Sequence, residues 1–191
     1  MDLFTFNISW MIYNLYLAVL PVIFALFLFK MPNKVTTLFV AFLWLLYLPN
    51  TIYVFTDLVH LIEQWPQVDN LGKILLVVQY TLLEVIGLAC FLIAFHPWEK
   101  ILAKFTRTSQ QFVLGLIGIN FLIGFALVLG HIERVNSWDV LLNPLFVITS
   151  TIHIFTSYQM LGLTILFGLF SNLFYFLFRE KARRLYARWV R

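Results

Sequence analysis

Polar side chains follow one another at helical spacing inside a strongly apolar stretch, residues 48–64. At successive steps of three, four, three and four residues, they are Asn50, Tyr53, Asp57, His60 and Gln64. On an α-helix this spacing places them on one face, which we call the stripe. Asp57 and His60 are three residues apart, so the carboxylate can orient the imidazole and raise its basicity. The pattern is typical of a general base with an orienting acid.

A second polar cluster, residues 131–139, combines histidine, carboxylate, guanidinium, amide and hydroxyl side chains. If it folds over the first stretch, Ser137 supplies a hydroxyl nucleophile and Asp139 a further carboxylate. Thr56, four residues before His60, is the alternative hydroxyl. The candidate catalytic residues are therefore His60, Asp57, Ser137 and Asp139. The candidate binding residues are Asn50, Tyr53, Thr56, Arg134, Asn136 and Trp138.

The same residues also allow a purely structural interpretation. A histidine at a wet helix end is often hydrogen-bonded by its neighbour. Asn136 and Ser137 are typical of a turn, and Trp138 of an anchor at the membrane surface. Arg134 can form a salt bridge with a nearby acid, or bind a phosphate or carboxylate with both of its nitrogens. These alternatives stay open at the level of the sequence.

A metal site is a weaker hypothesis, with Asp57, His60 and His131 as candidate ligands. Neither His-Glu-x-x-His nor His-x-x-x-His occurs, and the single Cys90 cannot build a cysteine cluster. The sequence leaves cofactors undetermined. Because phosphate-binding glycine loops and dinucleotide fingerprints are also lacking, nucleotide chemistry is disfavoured.

Composition defines the class of protein. Hydrophobic residues make up 62% of the 191 residues and charged residues only 12%, too few to coat a soluble globule. We therefore predict an all-α, polytopic transmembrane bundle. The basic residues lie beside the apolar segments, which explains the positive net charge without a nucleic-acid partner.

The apolar segments predict five transmembrane helices. They are residues 10–29, the segment from 35 that continues past 48, and residues 73–95, 112–129 and 160–178. Pro49 predicts a kink where the polar stretch begins. A short helix near 144–155 is predicted to be interfacial or half-inserted, because it is too short to cross. We predict one transmembrane domain, residues 1–178, and a basic cytoplasmic tail, residues 179–191.

The distribution of lysine and arginine predicts the orientation. With five spans and the N-terminus outside, eleven of these residues lie on cytoplasmic segments, the C-terminus included, and only Lys73 and Arg134 lie outside. Both polar clusters then lie on the non-cytoplasmic side. That shared side is the main argument that they form one site.

Three polar residues are predicted to share a depth inside the membrane: Glu84, Asn120 and Asn172. An ionisable group at this depth is costly unless it is paired or neutral, so Glu84 is expected to meet one of the asparagines. Such a layer can act as a proton relay or as the floor of a cavity. Alternatively, it holds the helices together.

Three motifs carry a resemblance to a known family. They are Trp-Leu-Leu-Tyr-Leu-Pro-Asn at 44–50, Thr-Asp-Leu-Val-His at 56–60 and Arg-Val-Asn-Ser-Trp-Asp at 134–139. With Tyr53 and Gly130, they resemble the bacterial membrane-protein family called domain of unknown function 1361. The resemblance covers nearly the whole chain and implies a multi-pass protein of the bacterial inner or plasma membrane without an assigned activity. The family has arginine after the glycine, where this chain has His131, and this departure favours His60 as the functional histidine.

Three functional hypotheses follow. In the first, the two clusters form a pocket at the outer interface that receives a lipid head group or a cell-envelope precursor, with His60 as base. In the second, the protein is a non-enzymatic scaffold or accessory subunit that contacts a protein partner. The third, a small transporter with a route past Glu84, is weaker because five spans offer few walls and no inverted repeat is visible. The lipid bilayer is a partner in all three.

Overall fold

The computed structural model describes residues 3–136 and 138–189, with the backbone alone for Ala182 and residues 185–189. This described part is helical and contains no strand, as predicted. Five segments are long and apolar enough to cross a membrane: Leu3–Lys30, Lys34–Gln67, Asn70–Phe105, Ser109–Ile132 and Tyr158–Lys181. The prediction of an all-α chain with five spans is confirmed, and the protein is a multi-pass membrane protein.

The α-helices are numbered in chain order. They are α1 (Leu3–Phe27), α2 (Lys34–Tyr47), α3 (Asn50–Tyr53), α4 (Leu58–Gln64), α5 (Asn70–Phe105), α6 (Ser109–Leu127), α7 (Asp139–Leu142), α8 (Pro144–Thr156) and α9 (Tyr158–Trp189). Turns of 3₁₀-helix occupy Leu28–Lys30, Val54–Asp57 and Trp65–Gln67, and a π-helical turn at Val128–Ile132 extends α6.

The backbone contacts divide the chain into two compact units, Met1–Ala94 and Phe95–Arg191, which are described separately. Helix α5 begins in the first unit and ends in the second. The predicted single transmembrane domain, residues 1–178, and basic cytoplasmic tail, residues 179–191, remain predictions. Helix α9 continues as a helix beyond residue 178 to Trp189.

Capping side chains explain where two of the spans begin. The Asn33 side chain accepts a hydrogen bond from the amide of Thr36 at 2.9 Å, and the Thr108 hydroxyl accepts one from the amide of Gln111 at 3.2 Å. Each capping residue has an extended backbone and satisfies an amide that the first helical turn leaves unpaired. The short polar loops at these positions therefore start helices α2 and α6.

The second span is interrupted at Pro49, as predicted. Helix α2 ends at Tyr47, and the proline ring has no amide hydrogen to continue the pattern of bonds. The next residues form the single turn of α3 and then the 3₁₀ turn Val54–Asp57 before α4 begins. The polar residues 50–64 consequently lie on three short helical pieces and not on one straight helix.

Close packing of α5 sets the register of the first unit. A Cβ atom added to Gly87 would lie 3.1 Å from the Cβ of Val54 and 3.3 Å from the carbonyl oxygen of Thr51. Val54 also belongs to the buried apolar core, together with Met11, Ala18, Leu76, Tyr80, Leu83 and Cys90. The glycine therefore lets α5 pack directly against the interrupted part of the second span.

In the second unit, α6 and α9 approach each other through small residues. A Cβ atom added to Gly124 would lie 2.4 Å from the backbone nitrogen of Gly168 and 2.7 Å from the carbonyl oxygen of Thr164. Backbone atoms cannot move aside as a flexible side chain can. The contact therefore requires glycine at position 124, in the manner of small-residue contacts between membrane helices.

Helix α8 confirms the prediction of a short apolar helix after the fourth span. It has 13 residues, too few to cross a bilayer, and begins with Pro144, which suits a first helical position. The ring of Phe155 stacks on that of Phe125, with centroids 5.5 Å apart. Whether the helix is interfacial or half-inserted stays a prediction.

A buried carboxylate joins α5 to α9 within the second unit. Glu99 accepts hydrogen bonds from the Tyr175 hydroxyl, from Nε of Arg179 at 3.1 Å and from Nε of Arg183 at 2.7 Å. Burial alone would lower the pKa of Arg183, but its hydrogen bond to Glu99 and the charge of Glu99 raise that pKa above its ordinary value. The carboxylate and its three donors therefore connect the two helices electrostatically.

Substitution of Gly124 by alanine should lower the free energy of unfolding by about 1 to 3 kcal/mol, because the added methyl group must push α9 away. Denaturant unfolding of the protein in detergent measures this change. The matched control is Gly118→Ala on the same helix, where a Cβ would meet nothing within 4 Å. Equal effects of the two substitutions would contradict the close approach.

Candidate functional site

A line of polar contacts connects α1 with the end of the second span, inside the first unit. Three pairs, which we call the polar ladder, form it: Asn7 with Gln64, Trp10 with His60, and Asn14 with Asp57. The residue numbers rise along α1 as they fall along the second span, so the two segments are antiparallel. The ladder therefore places the predicted stripe against α1.

The first pair of the ladder is a reciprocal amide pair. Nδ2 of Asn7 donates to Oε1 of Gln64 at 2.7 Å, and Nε2 of Gln64 donates to Oδ1 of Asn7 at 3.0 Å. The Tyr80 hydroxyl donates to the same Gln64 oxygen at 3.4 Å. All three residues are buried. Because these buried groups cannot bond to water, the pairing satisfies them and ties α1, α4 and α5 together.

In the second pair, Trp10 with His60, the histidine is exposed. The His60 ring meets the Trp10 ring edge-on, with centroids 5.6 Å apart, and its Nδ1 lies 3.1 Å from Oε2 of Glu63. The His60 side chain is 49% exposed. When Nδ1 donates its hydrogen to the carboxylate, Nε2 is left as the proton acceptor. The arrangement can therefore act as an oriented general base or as a hydrogen-bonding group for a ligand.

The third pair is buried. The carboxylate of Asp57 accepts a hydrogen bond from Nδ2 of Asn14 at 2.8 Å, and only 3% of Asp57 is exposed. On α5, Glu84 lies one turn before Gly87, which packs against Thr51 and Val54 of the second span. Both carboxyl oxygens of Glu84 are buried and have no hydrogen-bond partner among the described residues. Two carboxyl groups thus lie beneath the exposed histidine.

These contacts correct the predicted pairing of Asp57 with His60. The hydrogen bond of Asp57 goes to Asn14 and that of His60 goes to Glu63. The reason is that α1 supplies Asn14 as a donor for Asp57, while His60 has Glu63 three residues on along its own helix. The orienting carboxylate of His60 is Glu63.

Two other polar residues of this segment form hydrogen bonds with nearby backbone carbonyl groups. Nδ2 of Asn50 donates to the carbonyl oxygen of Tyr47 at 3.1 Å, and the Thr56 hydroxyl donates to that of Tyr53 at 2.6 Å. Both bonds satisfy carbonyl groups near the interruption at Pro49. Tyr53 itself is half-buried. The binding roles predicted for Asn50, Tyr53 and Thr56 stay predictions.

The second polar cluster forms a turn in the second unit. Oδ2 of Asp139 accepts a hydrogen bond from the Asn136 amide at 2.7 Å, while Trp138 and Arg134 are exposed. Arg134 has a positive φ of 56°. Ser137, the predicted nucleophile, lies outside the described residues. The predicted contact between this cluster and the stripe would lie between the two units. It stays a prediction.

The structure adds a contact near the predicted ligand His131. Nδ1 of His153, on α8, lies 2.8 Å from Oε1 of Glu133. This contact links α8 to the end of the fourth span. Across residues 3–136 and 138–189, no three or more His, Cys, Asp or Glu side chains are grouped closely enough to hold a metal ion. Asp57 and His60 belong to the first unit and His131 to the second, so this ligand set stays a prediction.

Two of the three predicted intramembrane polar residues lie together. Nδ2 of Asn120 donates to Oδ1 of Asn172 at 3.2 Å, and Nδ2 of Asn172 donates to the carbonyl oxygen of Gly168 at 2.9 Å. This pair belongs to the second unit, beside the glycine contact of α6 and α9. Glu84 belongs to the first unit, and its expected contact with an asparagine stays a prediction.

The α1 side of the ladder and the role of Glu63 were not predicted from the sequence. Asn7 and Asn14 are seven residues apart in an apolar helix, so they lie on one face two turns apart. Polar side chains in a membrane helix usually face its protein neighbours. This spacing was a readable signal, whereas the choice of Glu63 as the partner of His60 depended on the local backbone.

Comparison with known proteins gives one match. A family model described as Protein of unknown function (DUF1361) matches residues 13–174, which include the stripe and the second cluster. No curated protein matches, and no solved structure matches. The resemblance seen in the motifs is therefore confirmed at the level of the family.

The amide pair allows a double-mutant test. We expect Asn7→Leu and Gln64→Met each to lower the free energy of unfolding by about 1 to 3 kcal/mol, because each leaves a buried amide without its partner. The double variant should cost less than the sum of the two, by about 0.5 to 2 kcal/mol.

Denaturant unfolding in detergent measures all three variants of the amide pair. Gln67→Met is the control, since Gln67 is exposed and donates to the nearby carbonyl oxygen of Glu63 at 2.9 Å. Strictly additive costs at Asn7 and Gln64 would show that the pair does not act as a unit.

Proposed function

We propose that this chain, which belongs to the DUF1361 family of proteins of unknown function, binds the head group of a phospholipid or lipid-linked envelope precursor at the outer membrane interface. The binding group is the His60 and Glu63 pair, backed by Trp10. Asp57 supports the site from beneath through Asn14. The proposal places the protein in the inner or plasma membrane of a bacterium, as the resemblance implies.

The observation that carries the proposal is the contrast in burial along the ladder. The amide pair and Asp57 are buried and Asn14 is half-buried, whereas His60 and Glu63 are 49% and 62% exposed in their side chains. A hydrogen-bonded charge pair on a rigid, partly aromatic support is a pre-organised site for a polar ligand. The buried pairs keep the support in place without occupying the exposed atoms.

Charge and aromatic character indicate a zwitterionic head group. Glu63 offers a carboxylate to an amine. In its imidazolium form, His60 donates Nδ1–H to Glu63 and can donate Nε2–H to a phosphate oxygen. Nearby in the chain, the ammonium group of Lys73 lies 5.6 Å from the centre of the Trp65 ring, an arrangement suited to the membrane surface. Together these groups favour an aminophospholipid over a purely anionic lipid.

The predicted orientation supports the outer interface. The lysine and arginine distribution favours an external position for the loop between the second and third spans. A lipid that enters from the outer leaflet would then present its phosphate and amine at the level of His60. The interfacial aromatic residues Trp10 and Trp65 fit the same depth.

The geometry also supports acid–base chemistry on the bound molecule. With Glu63 holding Nδ1, Nε2 of His60 can remove a proton from water or from a hydroxyl group of the ligand. A carboxylate that orients a histidine in this way is a recurring feature of hydrolytic and transfer enzymes. We place this chemistry second to binding, since it requires the binding site.

Native mass spectrometry of the purified protein with equal amounts of phosphatidylethanolamine and phosphatidylglycerol tests the proposal. The wild-type protein should retain phosphatidylethanolamine preferentially. His60→Ala and Glu63→Gln should each reduce this preference roughly tenfold, which corresponds to about 1.4 kcal/mol. The loss should occur without a change in the thermal midpoint of unfolding, because both side chains are exposed.

The matched control is Glu180→Gln, which removes an exposed carboxylate from α9 and should leave the lipid preference unchanged. Equal retention of the two lipids by the wild-type protein would contradict the proposal. So would an unchanged preference in Glu63→Gln. If a protein copurified in stoichiometric amount under those conditions, the accessory-subunit hypothesis would be favoured.

A further inference from the structure

We propose that Glu84 and Asp57 form a proton-binding site within the membrane-spanning part of the first unit, and that the proton resides on Glu84. This site is separate from the exposed His60 and Glu63 pair and does not depend on lipid binding. The ligand is a proton, and the two carboxyl groups hold it together as one unit.

The register of the helices brings the two carboxyl groups together. Gly87 packs against Val54 and Thr51, and the Tyr80 hydroxyl bonds to Gln64. These two contacts bracket Glu84 on α5, one turn from each, and they bracket Asp57 on the second span. The electrostatic interaction of Glu84 with Asp57 agrees with this placement.

The burial of Glu84 makes an unpaired charge costly. It lies on Asn70–Phe105, a helix long and apolar enough to cross a membrane. Both of its carboxyl oxygens are buried, and neither has a hydrogen-bond partner in the described part of the chain. An ionised carboxylate without a donor or a cation in such a place costs several kcal/mol. A bound proton removes this cost.

The partner of Glu84 is suited to remain the charged member of the pair. Asp57 has a donor, the Asn14 amide, directed at its Oδ2 atom at 2.8 Å. A hydrogen bond to the ionised form favours that form. Two nearby carboxyl groups resist simultaneous ionisation, so the group without a donor takes the proton. The unequal hydrogen bonding therefore assigns the proton to Glu84.

The other ionisable groups around the pair are few. The adjoining α4 contributes His60 and Glu63, which bond to each other, and α5 contributes Tyr80. The α1 residues of the ladder are neutral. A metal ion is a poor alternative occupant, since no group of three or more acidic, histidine or cysteine side chains is found among the described residues.

Infrared spectroscopy of the purified protein in lipid tests the site directly. The wild-type protein should show the carbonyl stretch of a protonated carboxylic acid at neutral pH, and Glu84→Gln should remove it. In Asp57→Asn the band should persist but disappear at a lower pH, because the neighbouring negative charge is gone. Glu180→Gln, which changes an exposed carboxylate, should leave the band unchanged.

A second measurement keeps the proposal testable if Glu84→Gln fails to fold. A hydrophobic carbodiimide adds the O–H of a protonated carboxylic acid across its C=N bond, and the O-acylurea rearranges to a stable N-acylurea. The wild-type protein should gain one reagent mass on the peptide containing Glu84, and Asp57 should remain unlabelled.

Two results would overturn the inference. One is the lack of a carboxylic acid band in the wild-type protein from mildly acidic to neutral pH. The other is a band, or a carbodiimide label, that is assigned to a residue other than Glu84. Neither result depends on lipid preference, so failure of this site and failure of the head-group site are distinguishable.

Discussion

Hydrogen bonding of buried polar groups between α1 and the second span is the constraint on which the first unit depends. A side-chain amide or carboxylate inside a bilayer cannot turn to water, so a protein partner must satisfy it. Asn7 with Gln64 and Asn14 with Asp57 meet this requirement at two levels. Since both pairs need the same antiparallel register, they determine how α1 lies along the second span. Apolar packing alone would specify that register less strictly, because apolar side chains contact lipid tails about as well as they contact each other.

The interruption at Pro49 divides the second span into short helical pieces. Asp57 and His60 nevertheless both face α1, since Asp57 bonds to Asn14 and His60 packs against Trp10. Gly87 admits α5 closely beside the interrupted part. Side-chain bonds from Asn50 and Thr56 to nearby carbonyl groups accompany the interruption. In this arrangement Asp57 is buried and the His60 side chain is exposed, although the two residues are only three apart.

This separation gives the first unit two layers with different chemistry. At the surface, His60 and Glu63 form an exposed pair against Trp10, which suits a polar ligand. Beneath them lie Asp57, which has Asn14 as a donor, and Glu84, whose carboxyl oxygens have no hydrogen-bond partner among the described residues. In the second unit the contacts hold helices together: Glu99 joins α5 to α9, and Gly124 allows α6 and α9 to touch.

The amino-acid sequence by itself determined the class of protein, the five spans, the break at Pro49 and the short helix before the last span. These follow from hydrophobic length and from the missing amide of proline, which are properties of local segments. The family also follows from motifs in the sequence. The long-range partners of the polar residues were decided only by the tertiary structure. Helical spacing suggested Asp57 for His60, yet the neighbouring α1 supplies Asn14 to Asp57, and His60 bonds to Glu63 on its own helix. Spacing along one segment reports which side chains share a face, but hydrogen bonds form with whichever groups the packed helices bring within about 3 Å.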